Sequence, residues 1–272
     1  LSRRIGTKQL RIKLNKQYDG GLMWVADPAE KFRIGTMRLT VIGPFAEDLD
    51  TFRKKWNAWL RKNKKALKQI ADKAKADEAQ IGQSEVDALV GPLLEMGKTL
   101  GKRSSVTAPN LASIMLLLEE KNKTVLLTGD GHADDIIAGL DNAGRLDADG
   151  RMHVNVLKVQ HHGSEHNTDD AFCRAIIADR YVFCGNGEHE NPELDVIKAF
   201  ANSRFGTKKQ KSGHKKAGRK FEMFFNTHHS LEHGKKKAHM KDVEALVKQL
   251  RKKSKGQMRF RFMKTSHKAF KV

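Results

Sequence analysis

Apolar and polar positions change period several times along the chain, and each change marks an element. Residues 10–14 (LRIKL) and 37–43 (MRLTVIG) alternate or run apolar with β-branched content and read as strands, with turns at Asp19-Gly20-Gly21 and Asp27-Pro28 between them. From Asp50 the spacing becomes helical. Phe52, Trp56, Trp59, Leu60, Leu67 and Ile70 share one face and Lys and Arg fill the other, which predicts an amphipathic helix capped by Asp50 or Thr51. Its Trp stripe is expected to pack in the core. Residues 71–83 are polar and alanine-rich, and Ser84-Glu85-Val86-Asp87 resembles a capping box for a second helix that Pro92 interrupts.

The most regular patterning lies between Asn110 and Ser203. Strands are predicted at 112–120 and 123–130, joined by a tight turn at Lys121-Asn122 into an antiparallel hairpin. A helix follows at 132–144, ending at Gly144, then a buried strand at 154–160. Thr168 is the expected N-cap of a helix through Ala178, 181–185 a further strand, and Asn191-Pro192-Glu193 the start of a helix to Ala201. Beyond it, order is expected only at 238–253, where Val243, Leu246, Val247 and Leu250 repeat at helical spacing. Strands alternating with helices of this length indicate an α/β layered domain. The expected organisation is a β-rich segment at 1–49, a helical insertion at 50–104, the α/β part at 105–203 and a basic tail at 204–272.

Charge sharpens that division. The formal net charge is +20, and residues 204–272 hold 22 Lys+Arg against 4 Asp+Glu, so the first 203 residues carry only 30 against 28. A strongly basic tail on a near-neutral body suits a polyanion, most simply nucleic acid; a solubilising tail is the plain alternative. No apolar run approaches the roughly 20 residues that cross a bilayer, so no membrane association is expected and a cytoplasmic location is. Cys173 and Cys184 are too few for a disulfide framework and read as small buried hydrophobes. The chain opens on Leu1 in a basic stretch, from which a preceding segment is expected.

Three polar clusters each follow directly on a short apolar strand: Thr128-Gly129-Asp130-Gly131-His132, His161-His162-Gly163-Ser164 and Gly185 to Pro192, which includes His189. Strand ends are where loops gather into a site. A carboxylate with imidazoles suits Zn²⁺ or Mn²⁺, and such a metal lowers the pKa of a bound water to about 7. Each cluster alone has a plainer explanation, as a turn, a surface histidine or a chance pair. His132 reads as a helix N-terminal residue rather than a ligand, Asp134 and Asp135 as partners of the helix dipole, and His153 and His166 as structural or solvent-facing. Lys158, inside an apolar strand, either reaches toward the site or snorkels at the sheet edge.

In this order and spacing the clusters resemble the second half of metallo-β-lactamase-fold hydrolases, in particular the ComEC-type DNA-internalisation branch. The resemblance rests on Leu127-Thr128-Gly129-Asp130, His161-His162-Gly163-Ser164 and the loop from His189 to Pro192, and covers about residues 105–203. It implies an αββα sandwich, of which this chain would hold the C-terminal half. Asp130 and one of His161 and His162 would be metal ligands, with His161 assigned to the metal and His162 to catalysis. His189 would lie at the mouth as a further ligand or to steady a phosphate, and Ser164 and Lys158 would contact substrate. The family's His-x-His-x-Asp-His cluster does not occur here, and residues 1–50 contain no histidine. An N-terminal half or a protein partner is therefore expected to complete the site. The function implied is metal-dependent hydrolysis, of a nucleic-acid phosphodiester when the basic tail is counted in. A small-ester, lactone or thioester hydrolase of the same fold and an inactive binding subunit are the alternatives.

Overall fold

The computed structural model of the chain describes residues 18, 21–27, 29–64, 68 and 103–265. The expected strand at 10–14, Asp19-Gly20, Pro28, Leu67, Ile70 and the stretch 71–92 with its capping box lie outside the described residues. Among those described, eight strands form one sheet in chain order: β1 (Lys31–Ile34), β2 (Met37–Gly43), β3 (Met115–Glu120), β4 (Lys123–Leu127), β5 (Met152–Lys158), β6 (Ile176–Phe183), β7 (Phe221–Phe225) and β8 (Met258–Phe262). Pairing is antiparallel from β1 to β4 and parallel from β4 to β8. The helices are α1 (Ala46–Lys62), α2 (Ala108–Leu111), α3 (Ala133–Asn142), α4 (Asp170–Ala175), α5 (Leu194–Phe205) and α6 (Gly234–Lys253). The chain is thus an α/β protein built on a mixed sheet, and no helix among the described residues is long and apolar enough to cross a membrane.

Local chemistry explains the boundaries. Lys121 and Asn122 both take positive φ, 46° and 62°, as a two-residue hairpin turn requires, so β3 and β4 pair as expected. His132 caps α3 by accepting the Asp134 N–H at Nδ1, and Gly144 closes that helix at φ 63°. Asp169, not Thr168, caps α4 by accepting from Phe172 N at 2.7 Å. That helix ends at Ala175, and Ile176 to Ala178 belong to β6 instead, because all three are buried against neighbouring strands. Glu193 rather than Asn191 is the residue preceding α5.

One cluster of buried side chains spans the sheet: Leu126, Leu157, Tyr181, Phe183 and Met223 meet Ile136 and Leu140 of α3, Phe172 of α4, Phe200 of α5 and Val243 of α6. All four crossover helices therefore cover the same face, as successive right-handed crossovers in one direction demand. The contact is tight where α3 crosses β2, since a Cβ on Gly139 would stand 1.9 Å from the Ile42 carbonyl oxygen. By strand alternation Leu116, Leu118, Val125, Leu127, Val156 and Val182 look to the other face, and none is fully buried.

Three expectations are corrected. The expected tail at 204–272 is more than one helix: its described residues, 204–265, finish α5 and contribute β7, α6 and β8, with Phe221, Met223, Phe225, Met258 and Phe262 in the core. The Trp stripe of α1 is not core among the described residues; Trp56 is 37% exposed and stacks on Trp59 with centroids 5.4 Å apart. Asp135 does more than face a helix dipole. Arg103 bonds Asp135 at 2.8 Å and Asp48 at 2.6 and 2.7 Å, tying α1 to α3.

The crossing of α3 over β2 makes Gly139→Ala a sensitive probe. The added methyl has no room, and we expect thermal melts to show a loss of about 1–3 kcal/mol, the usual cost of overpacking.

Candidate functional site

Because β4, β5 and β6 run parallel, the loops that follow them leave the sheet at one edge. After β4, the Thr128 hydroxyl donates to the Lys158 carbonyl at 2.6 Å, and the Asp130 N–H donates to Ser113 Oγ at 3.1 Å. Gly129, at φ 52°, lets the chain bend so closely over Ser113 that a Cβ would lie 2.9 Å from that side chain. These bonds leave the Asp130 carboxylate pointing outward, about one third exposed.

After β5 the chain enters a tight turn in which His161 and His162 both take left-handed φ, 41° and 58°, unusual for residues with a Cβ. What holds them is the Gly129 carbonyl, which accepts from the His161 N–H at 3.1 Å and from Lys158 Nζ at 2.7 Å. Lys158 thus reaches into the site, 3.8 Å from Asp130 Oδ1, rather than snorkelling away. His162 Nε2 lies 4.0 Å from the same oxygen.

Hydrogen bonding sets both imidazoles. His162 Nδ1 is 3.0 Å from the Cys184 carbonyl, which can only accept, so Nδ1 carries a proton and the neutral form of the ring has its lone pair on Nε2, the nitrogen toward Asp130. Asn167 does the same for His161. Its Nδ2 donates to the carbonyls of Asp130 at 2.8 Å and Gly131 at 3.2 Å, so its Oδ1 is the atom 2.6 Å from His161 Nδ1 and accepts from it. His161 Nε2 is then also a lone pair, approached by Asn110 Nδ2 at 3.4 Å. Burial lowers the pKa of His161 from its usual value, with the Asn167 bond and Asp130 opposing, which favours the neutral ring. Burial likewise lowers the pKa of Lys158, opposed by Asp130.

The third loop packs onto the second. Glu193 N–H donates to the Gly163 carbonyl at 3.0 Å, and Pro192 sits where a Gly163 Cβ would be, 2.7 Å away. His189 lies on the short turn Glu188–Glu190 of this loop at φ 51°, and Lys236 of α6 bridges to Glu188 at 2.8 Å. Asp130, His161, His162 and Lys158 therefore converge, with the His189 loop alongside. Ser164 turns inward: 3% exposed, its hydroxyl accepts from the His166 N–H and caps the next turn, so it touches the fold rather than the open site. His132 is fully buried at its capping position. His153 is buried too and bonds Asp179 at 2.8 Å. Both cysteines are free, Cys173 buried and Cys184 half-buried.

A carboxylate and Nε2 lone pairs with Nδ1 held by protein acceptors are the donor chemistry of a borderline divalent metal. Only two of those atoms face each other closely. Among the described residues no third imidazole, carboxylate or thiolate closes a triad with Asp130 and His162; the group whose three donor atoms converge is His228, His229 and Glu244.

The basic residues lie mostly elsewhere. The stretch 206–220 precedes β7, and Arg251, Lys252, Lys253 and Lys255 precede β8, so both stand at the opposite edge of the parallel strands. Gln257 joins the two stretches by donating to the Ala217 and Arg219 carbonyls at 3.0 and 3.1 Å. Lys208, Lys209, Lys211, Lys215, Arg219 and Lys220 are exposed. No protein family, curated protein or solved structure matches the chain.

The residues that sequence reasoning passed over are Asn167, Asn110 and Ser113. None titrates and none lies in a periodic pattern; the one signal was the Asn beside the expected cap at Thr168. Asn167→Ala removes bonds to two carbonyls and one imidazole in a fully buried place. We expect a loss of roughly 2–3 kcal/mol in thermal melts, and long-range proton–nitrogen NMR correlations should lose the Nδ1-protonated form of His161.

Proposed function

We propose that the chain carries the Asp130–His161–His162 part of a metal-dependent hydrolase site of the metallo-β-lactamase type, acting on phosphodiester bonds of nucleic acid. The observation that carries this reading is the orientation of the two histidines, each with Nδ1 held by a protein acceptor, with His162 Nε2 turned to Asp130 Oδ1 at 4.0 Å and His161 Nε2 beside Asn110. A sheet with helices on one face and apolar side chains on the other is in keeping with half of an αββα sandwich.

Asp130 and His162 would hold the metal, Zn²⁺ by their mixed oxygen and nitrogen chemistry, and it would supply Lewis acidity and a water acidic enough to act near pH 7. Catalytic zinc takes three protein ligands, so on this reading the remaining donors come from outside the described residues or from a partner. The chain's own groups position and neutralise. Lys158, fixed by the Gly129 carbonyl, directs a cation at the phosphate oxygens, and Asn110 Nδ2 offers a donor beside His161. His161 Nε2 is the group to take or return a proton, and His189 on the neighbouring loop steadies the phosphate. A purely binding subunit is the second reading, favoured by the open donor set around Asp130.

The basic edge supports nucleic acid as the substrate class on this reading. β5 has seven residues, so the two edges stand roughly 20 Å apart at about 3.3 Å per residue. A small ester cannot reach both; a nucleic acid must run for about six nucleotides, at about 3.4 Å each.

Asp130→Ala should abolish metal-dependent cleavage of oligonucleotides while leaving the melting transition in place; undiminished cleavage removes Asp130 from the mechanism, and no cleavage by the parent chain supports the binding subunit. Replacing Lys208, Lys209, Lys211 and Lys215 by Gln should weaken oligonucleotide binding and flatten its salt dependence by up to about 0.9 in log–log slope per lost contact. The same variant should still hydrolyse a small phosphodiester at the parent rate.

A further inference from the structure

The chain contains a second gathering of metal-binding side chains, on a loop that the proposed hydrolytic site does not use. β7 ends at Phe225, and the next residues pass through His228 and the turn His229–Leu231 before α6 begins at Gly234. The helix then brings Glu244 back across that turn. His228 Nε2 lies 3.5 Å and His229 Nε2 3.1 Å from the same carboxylate oxygen, Glu244 Oε2, and the three donor atoms are all within 4.8 Å of one another. The ligands of a tetrahedral zinc at about 2.0–2.1 Å are separated by edges of about 3.3 Å. The two measured separations fall on either side of that value.

Two of the three donors are held from behind. His228 is nearly buried, its ring edge-on to Phe262 with centroids 5.7 Å apart; its Nδ1 accepts from the Ser230 N–H at 3.2 Å and lies 2.7 Å from Ser230 Oγ, so zinc on Nε2 would move the ring proton to Nδ1, where Ser230 Oγ can accept it. Thr227 anchors the turn through a 2.8 Å bond to Glu232. Lys248 takes the other carboxylate oxygen, Glu244 Oε1, at 2.9 Å, which leaves Oε2 to the imidazoles. The two rings lie with centroids 4.0 Å apart, and His229 Nδ1 is buried without a partner among the described residues. A divalent ion between the three donors would accept both Nε2 lone pairs and set two positive charges against the one carboxylate.

We propose that His228, His229 and Glu244 bind one Zn²⁺, with water in the fourth position, and that the ion fastens the loop after β7 to α6. Two imidazoles and one carboxylate select zinc over magnesium or calcium, which take oxygen donors. Because β7 is parallel to β6, this loop leaves the same sheet edge as Asp130 and the His161–His162 turn. The ion would therefore brace the same edge through α6, which also holds Glu188 by Lys236 and the Pro192 carbonyl by His239.

The test uses the full chain with Asp130→Ala, so that uptake at the hydrolytic site does not enter. The protein is stripped with a chelator, then titrated with zinc chloride by calorimetry and with Co²⁺ by visible absorption. We expect about one equivalent of zinc, tetrahedral Co²⁺ bands and a rise in the melting temperature with zinc. Adding Glu244→Gln or, separately, His229→Gln should weaken zinc at least about tenfold and remove both the bands and the rise. His229→Gln, at a partly exposed position, serves if Glu244→Gln does not fold. Absence of uptake at tens of micromolar zinc, or uptake of unchanged affinity in the folded variants, overturns the proposal.

Discussion

Parallel pairing from β4 to β8 governs everything else in this protein. Each of those strands must be followed by a return along the length of the sheet, so the segments after the strands collect at one edge and the segments before them at the other. A single backbone oxygen then draws the first two loops together: the Gly129 carbonyl accepts from both the Lys158 ammonium and the His161 N–H. Without the twist at Gly129 that oxygen would not face β5. With the ring bonds to Asn167 and the Cys184 carbonyl, it helps hold His161 and His162 in a left-handed conformation that their side chains disfavour.

The buried amide of Asn167 completes the arrangement from beneath. It reads two carbonyls of the Asp130 loop with its nitrogen and one ring of the His161 turn with its oxygen, so the position of the carboxylate and the tautomer of the imidazole are fixed by one side chain. Arg204 plays a comparable part at the far edge. Fully buried, it donates to the carbonyls of Ala178, Lys216, Ala217 and Arg219 and lies 4.7 Å over the Phe221 ring. A cation thus organises the backbone of the most cationic loop through its carbonyl oxygens, while its charge also helps hold down the pKa of Asp179.

Much of the architecture was legible because it follows from patterns a linear chain displays: the hairpin at Lys121-Asn122, the helix closed by Gly144, and the polar clusters directly after apolar strands. The convergence of Asp130 with His162 and Lys158 follows from that placement. What escaped has physical causes. Phe221–Phe225 and Met258–Phe262 are short strands inside a strongly basic region, and the charge of their surroundings hid their alternation. Ile176 to Ala178 continue an apolar run from a helix into a strand, and periodicity over so few residues does not separate the two. Arg103, Asp48 and Asp135 are far apart in sequence and meet only in the folded protein. His228 and His229 lay in that same basic region, and no pattern linked them to Glu244 one helix away.

The strand order has a consequence for how the protein is made. Every strand in the sheet lies beside its immediate predecessor in the chain, and no later strand is inserted between earlier ones. A polypeptide emerging from the ribosome can add each strand and its covering helix to an edge that already exists, without waiting for a distant partner. Assembly can advance in one direction, from the antiparallel end toward β8, each described strand pairing with the one made just before it.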